Sequence, residues 1–377
     1  MSLQEELKAL ARVSEAPQPF VTFYLNTKWD SEKQRERVRI FVKSKLRDLL
    51  AKNDHLPAEA RRALEVDAER IDQYVRGLVA REHDESFAGI AIFSCAGLGV
   101  HRIIKSYAPF EEGFECCSRP ALRPALHAVR AGEPALLCMI QGDAGRLLEF
   151  EMGGVRREFA FEDEEFPGRH EQGGWSQARF QRHVREHLMR NLSKLAEQAV
   201  KWLDERKSSR ILLSGPEADV ALFESYLPKR LRGGILARLA IDPNATKDVV
   251  EAEVRRALED GMEEGDRAAL DELLDLLGSP RAITGPDAVA QAVAAGKVRT
   301  LYIDGRFREP GWKCFSCGAL GVKVPLGCPV CQTPVETVEL GEELVRGTLA
   351  ADGDVVPVRE HEGLRAEGGV AAALRYG

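Results

Sequence analysis

Four cysteines carry the clearest chemistry in this sequence. Cys314 and Cys317, then Cys328 and Cys331, form two Cys-x-x-Cys pairs separated by ten residues. Thiolates are soft ligands, and two such pairs can close a tetrahedral shell around one Zn2+. Four sulfurs leave no open coordination position, so a metal held this way would be structural rather than catalytic. Gly318 follows the first pair and Gly327 precedes the second. The absence of a side chain at these two positions lets backbone N–H groups approach the sulfurs. Two disulfides or a redox dithiol are the competing readings, and the doubled motif favours a metal ribbon.

His183, Glu186 and His187 spell His-x-x-Glu-His, the inverted pattern of some zinc proteases. On a helix the two histidines, four apart, share a face. Arg179, Arg182, Arg185 and Arg190 crowd the same stretch and would repel a divalent cation, so a solvated basic face is the expected role. No other nucleophile, phosphate-loop or dinucleotide fingerprint is present.

The stretch 168–190, GRHEQGGWSQARFQRHVREHLMR, is a glycine-bearing charged loop that opens into a long basic helix. Gly173 and Gly174 allow positive φ and close approach of the backbone to a partner. Ser176 is placed to cap the helix. Arg169, Arg179, Arg182, Arg185 and Arg190 are answered by Glu171 and Glu186 alone, the charge pattern of a phosphate-rich partner. A second basic helix is predicted over about 31–52, where Lys33, Arg35, Arg37, Arg39, Lys43, Lys45 and Arg47 face Glu32, Glu36 and Asp48. Surface decoration and RNA contact are both open for it.

Gly173, Gly174, Ser176 and the pair Arg179–Phe180 resemble the middle domain of the archaeal and eukaryotic class-1 peptide-chain release factors. In that family a Gly-Gly-Gln loop enters the peptidyl transferase centre, and its Gln positions the water that attacks peptidyl-tRNA. Here Trp175 stands in the Gln position. An indole offers one N–H donor and no acceptor. The family's Asn-Ile-Lys-Ser decoding tetrapeptide is missing too, and the nearest string, Val42-Lys43-Ser44-Lys45, keeps only Lys-Ser. The segment ITGPDAVAQAVAAGKVRTLYID and the closing GGVAAALRY resemble the family's third domain, in which archaeal members carry a similar zinc ribbon.

The elements that must position these residues read as mixed α/β. Residues 18–27 predict a strand, 88–106 a hairpin turning at Ala96–Gly97, and Pro57 opens an amphipathic helix to about Arg81. ALLCMIQG and RLLEFEM predict a second hairpin around 142–145. Phe180, Val184, Leu188, Leu192, Leu195, Ala199 and Trp202 recur at helical spacing. Strands at 211–214 and 235–241 alternate with helices, which implies a mixed sheet, and 251–277 reads as a charged helix pair. Domains are expected at 1–130, 131–278 and 279–377, with the ribbon at 311–335. The resemblance implies a tRNA-shaped arrangement of the three.

The chain has 377 residues, 44% hydrophobic and 30% charged, with net charge −7. This suits several packed domains and argues against indiscriminate RNA binding, though not against local basic faces. No apolar run reaches the ~20 residues that span a bilayer, and the first residues are charged and amphipathic, so a soluble cytoplasmic protein is expected. Cys95, Cys116, Cys117 and Cys138 are expected as buried or free thiols.

The resemblance implies a ribosome-binding translation factor in the A site, contacting rRNA through Arg169, Gln172, Gly173, Gly174, Trp175, Ser176, Arg179, Arg182, Arg185, Lys43 and Lys45. A translational GTPase is the implied delivery partner. With both family motifs altered, the protein fits the Balon group of bacterial hibernation factors, which occupy the site without hydrolysis. The alternative is a rescue or release factor that hydrolyses peptidyl-tRNA with Gln172 or Gln177 in the catalytic role. A ribosome-independent RNA-binding protein is disfavoured by the acidic net charge.

Overall fold

A computed structural model of the chain describes residues 3–15, 18–29, 31–80, 87–106, 109–151, 153–163 and 177–376. The described residues fall into two compact units. One joins Met1–Arg130 to Glu263–Gly377, and the other is Ala131–Met262.

The N-terminal part of the first unit runs α1 (Leu3–Ala11), β1 (Phe20–Asn26), α2 (Glu32–Lys52), α3 (Ala58–Ala80), β2 (Gly89–Cys95), β3 (Val100–Ser106), β4 (Gly113–Cys117) and α4 (Arg123–Ala131). Its sheet is antiparallel in the order β3-β2-β1-β4. Successive strand residues point to opposite faces, and both faces of β1 are buried. Val21, Phe23 and Leu25 pack on Val38, Val42, Leu46 and Leu49 of α2 and on Leu64, Ile71 and Val75 of α3. Phe20 and Tyr24 face the other way, into a second core.

The second unit runs β5 (Ala135–Ile140), β6 (Ala144–Glu151), β7 (Gly154–Glu162), α5 (Gln177–Arg206), β8 (Ile211–Ser214), α6 (Glu217–Tyr226), α7 (Lys229–Arg232), β9 (Ile235–Leu239) and the first part of α8 (Lys247–Asp275). The sheet order is β7-β6-β5-β8-β9, with β5, β8 and β9 parallel and β6 and β7 antiparallel. It is mixed, as the β-α-β-α alternation implies. Leu192, Leu195, Ala199 and Trp202 of α5 cover one face together with Val220 and Phe223 of α6. Val250, Val254 and Leu258 of α8 cover the other.

After β6, residues Gly154–Glu162 form β7, where half-buried Val155, Arg157, Phe159 and Phe161 alternate with exposed side chains, a period of two that is visible in the sequence. One expectation needs correction here. The expected helix pair at 251–277 is one helix, α8. Gly261 and Gly265 inside it cost helix propensity but supply no stop signal, and no proline follows until Pro280.

The remaining segment of the first unit runs β10 (Ala282–Thr284), α9 (Pro286–Ala294), β11 (Val298–Asp304), β12 (Pro310–Lys313), β13 (Leu320–Gly321), β14 (Glu336–Glu339), α10 (Leu340–Ala350), β15 (Asp354–Val358), α11 (Glu362–Ala366) and β16 (Val370–Leu374). One sheet has the order β10-β16-β11-β15, and a small one has the order β13-β12-β14. Pro286 begins α9 and Gly296, at φ +66°, follows its end, both as read from the sequence. Leu301, Ile303, Val355 and Ala372 face the core that receives Phe20 and Tyr24, together with Leu340 and Leu344 of α10. The fold is mixed α/β, with a small cysteine ribbon set in its C-terminal segment.

Candidate functional site

The ribbon is built from β12, β13 and β14 and the turns that join them. The Sγ atoms of Cys314, Cys317, Cys328 and Cys331 all lie within 4.8 Å of one another. Cys314 and Cys331 approach to 3.4 Å, and Cys317 and Cys328 to 3.5 Å. A disulfide requires about 2.05 Å, whereas four sulfurs around one ion at about 2.3 Å each stand near these separations. The arrangement therefore fits one tetrahedral metal ion, and neither disulfide matches it.

The knuckle turns set that geometry. Gly318 N–H donates to Cys314 O, and Gln332 N–H donates to Cys328 O. Gly318 has φ +78°, as the first turn requires. In the second turn Gln332, at φ +63°, takes the left-handed position. Gly327 precedes this turn, as the sequence places it. Thr333 was not anticipated. Its Oγ1 lies 3.0 Å from both Cys314 and Cys331. Its hydrogen bond holds both thiols below the usual range, Cys314 at about 6, which favours the thiolate form that metals bind.

The ribbon is tied to the rest of its unit by charge. Glu343, 6% exposed, accepts from Arg119 at 3.0 Å and from Lys313 at 2.5 Å, with Arg346 Nε at 3.5 Å. Phe315, inside the first knuckle, lies under the Arg119 guanidinium at 4.9 Å and the Lys313 ammonium at 5.5 Å. Lys313 adjoins Cys314, and Arg119 belongs to the segment before α4. One buried carboxylate thus joins three parts of the chain.

Of the residues expected to meet RNA, Arg169, Gln172, Gly173, Gly174, Trp175 and Ser176 lie outside the described residues. Gln177 and Arg179 fall in the first turn of α5, with their side chains outside the described part. Arg182, Arg185 and Arg190 are exposed on α5 and make no ion pair among the described residues. On α2, Lys43 is likewise exposed and unpaired among the described residues, whereas Lys45 is half-buried against Phe41 and Phe114. Neighbouring Arg37 pairs with Glu112, and Arg39 with Glu36. The cations of α2 are thus partly committed, as is Arg206 at the end of α5, which bonds Glu149, whereas Arg182, Arg185 and Arg190 make no ion pair among the described residues.

The histidine motif does not form a metal site. His183 and Glu186 are exposed, while His187 is 3% exposed. His187 Nδ1 meets Asp163 at 2.8 Å, and Asn191 donates to the same carboxylate at 3.0 Å. His187 is therefore no part of a solvated face; it ties α5 to the residue that follows β7. Among the described residues, only the four cysteines gather as a possible metal site.

A serine, an aspartate and a histidine do meet elsewhere, which the sequence did not reveal. Ser94 donates to Asp67 at 2.5 Å and lies 3.0 Å from His101 Nδ1. The serine proton goes to the carboxylate and not to the imidazole, the reverse of a nucleophile activated by its base. Ser94 and Asp67 are 0% exposed, so the cluster braces α3 against the β2–β3 hairpin.

Residues 120–260 match the sequence model of the bacterial archaeo-eukaryotic release factor family 10. No curated protein matches the chain. Among solved structures, the archaeal translation termination factor aRF1 is similar at 16% identity, over 100% of this chain and 99% of that one, with TM-score 0.27. Ribosome-bound archaeal Pelota is similar at 16% identity over 100% and 94%, with TM-score 0.40. Dom34 of S. cerevisiae is similar at 12% identity over 76% and 79%, with TM-score 0.39. No helix among the described residues is long and apolar enough to cross a membrane. The similarity to the bacterial archaeo-eukaryotic release factor family 10 is thus a match of residues 120–260, the segment that runs from just before α4 into α8.

Proposed function

We propose that the protein occupies the ribosomal A site without hydrolysing peptidyl-tRNA and acts as a cytoplasmic hibernation or inactivation factor. The observation that carries this is Trp175. It lies inside the family-matched segment, after Gly173–Gly174, where the release factors hold a catalytic Gln. Ester hydrolysis needs a water held in line with the carbonyl and a polar site for the developing oxyanion. A large ring with one donor excludes that water. It can instead stack on an unpaired base, a contact worth about 1–3 kcal/mol. Arg182, Arg185 and Arg190 on the helix that follows, exposed and without an ion pair among the described residues, would give phosphate contacts.

The rest of the reading is continuous with this. Helix α2 and its exposed Lys43 would face the decoding region. A translational GTPase would deliver the protein. One Zn2+ would hold the ribbon through Cys314, Cys317, Cys328 and Cys331.

Two assays test it together. The protein is expected to co-sediment with ribosomes and to release no nascent peptide above background. Charge reversal at Arg182 and Arg185 is expected to weaken sedimentation and to flatten the salt dependence by about one unit of log–log slope per lost phosphate contact. Peptide release by the wild type, abolished by Gln172→Ala, would establish the rescue reading in its place. Failure to co-sediment at low salt would remove both.

A further inference from the structure

Arg119 Nε, His127 Nε2 and Arg346 Nε and Nη1 are the buried side-chain nitrogens and oxygens left without a hydrogen-bond partner among the described residues. All three residues line one cavity of about 740 Å3 inside the first unit. Buried polar groups are almost always satisfied, so this concentration of exceptions in one place calls for a ligand. The volume suits a small molecule.

The chemistry of the unsatisfied atoms identifies its class. A guanidinium donates and never accepts, so the Arg119 and Arg346 nitrogens seek an acceptor. Arg346 is 6% exposed, and its Nη2 is already spent on Pro120 O at 2.7 Å. Its Nε lies 3.5 Å from Glu343 without making a hydrogen bond. The acids on the inner wall have their own partners. Glu342 accepts from the N–H groups of Leu122 and Arg123 at the start of α4. Glu339 accepts from Arg123 and from Gly341 N–H, and Glu343 is shared among Arg119, Lys313 and Arg346. Among the buried side-chain atoms left without a partner, three of four are therefore guanidinium donors and none is a carboxylate oxygen. At the rim, exposed Arg308 adds a further cation, with Nη1 bonded to backbone oxygens. Burial pushes His127 below the usual histidine range, so it meets a ligand as a neutral imidazole.

We propose that this cavity binds a small free oxyanion, a phosphate- or carboxylate-bearing molecule, through the guanidinium groups of Arg119 and Arg346. Charge-assisted bonds to an oxyanion are the strong kind. The site draws on the segment before α4, on α4 and on α10, so a ligand there would also bridge them. It stands independently of ribosome binding and needs no residue of the Gly-Gly-Trp loop.

Isothermal titration of the full chain, at constant ionic strength, tests this with inorganic phosphate and with citrate as the probes. Fixed ionic strength removes general screening as a cause. Saturable binding of at least one probe is expected. Arg346→Met is expected to weaken it by about tenfold or more. Because that variant also disturbs the Glu343 cluster, Ser118→Trp serves as the second. Ser118 is exposed and lines the cavity, so a large ring there blocks entry while leaving every guanidinium in place. It is expected to unfold at the parent's temperature and to lose binding equally. Equal binding by the parent and Ser118→Trp would mean an adventitious ion only and would overturn the proposal. So would the absence of saturable binding by either probe. Binding of a short single-stranded RNA, blocked by Ser118→Trp when neither probe binds, would reassign the cavity to nucleic acid and overturn it as well.

Discussion

Glu343→Ala should destabilise the protein by about 3–5 kcal/mol, the range for removing one partner of a buried ion pair. The carboxylate is 6% exposed and serves three cations, so the variant leaves Arg119, Lys313 and Arg346 buried without their shared counter-charge. Exposed pairs set the scale for comparison. Arg47–Asp48, with side chains 78% and 51% exposed, is worth about 0–1 kcal/mol, and Asp48→Ala should hardly register. Burial works to raise the Glu343 carboxyl, but Lys313, Arg346 and Arg119 outweigh it and hold the group below the usual carboxylate range. Its folded value therefore lies below the ~4.3 of an unfolded glutamate. The stabilisation is complete above that pH and is lost as pH falls toward the folded value. Denaturant melts of parent and variant between neutral and acid pH check both statements. A gap between them that stays constant to pH 3, about one unit below the unfolded value, would show that Glu343 does not titrate as argued.

Stripping the metal, or Cys328→Ser, should melt the ribbon outright. Apart from its ligands, the ribbon's own buried core is Trp312, with Ala319 and Val335 packed against it. So small a cluster cannot offset its chain entropy without a staple. Structural zinc in small domains is worth about 10–16 kcal/mol of apparent binding energy at neutral pH, all of it folding energy. We expect one zinc per chain by elemental analysis and, in the metal-free protein, loss of hydrogen-exchange protection at the Cys314 and Cys328 amides. Those amides donate to Ala319 O and Thr333 O in the knuckles. Retained protection in protein shown to be metal-free would defeat the argument. The sheet β3-β2-β1-β4, with its own core of Val21, Phe23 and Ile71, is the internal control.

Local pattern made much of this legible. Cysteine spacing gave the ribbon, because two-residue knuckles are a local geometry. The hairpins at 88–106 and 135–151 and the long α5 followed from periodicity and turn residues. What periodicity reports is a face that must be covered, never what covers it. Hence nothing in the sequence showed that Phe20 and Tyr24 of β1 share a core with Leu301 and Ile303 of β11, nearly three hundred positions away in the chain. His187 read as part of a basic face because its neighbours are basic, but its partner is Asp163, beyond an intervening loop. Thr333 and Glu343 were missed for a related reason. A hydroxyl beside two thiols, or a carboxylate among three cations, is an arrangement of separate segments, and a motif does not encode it. The loop residues 168–176 rest on sequence alone.

The position of Phe315 has a thermodynamic consequence. It is held within the first cysteine knuckle and carries on its ring the cations that grip Glu343, one of which, Arg119, belongs to the N-terminal segment. Two equilibria that share a contact must be linked, and linkage runs both ways with the same factor. A metal that orders the knuckle favours the docked N-terminal segment. By the same amount, a docked segment raises affinity for the metal. Weakening the contact from the far side, by Arg119→Ala, should therefore make the zinc easier to remove, although Arg119 is not one of its ligands.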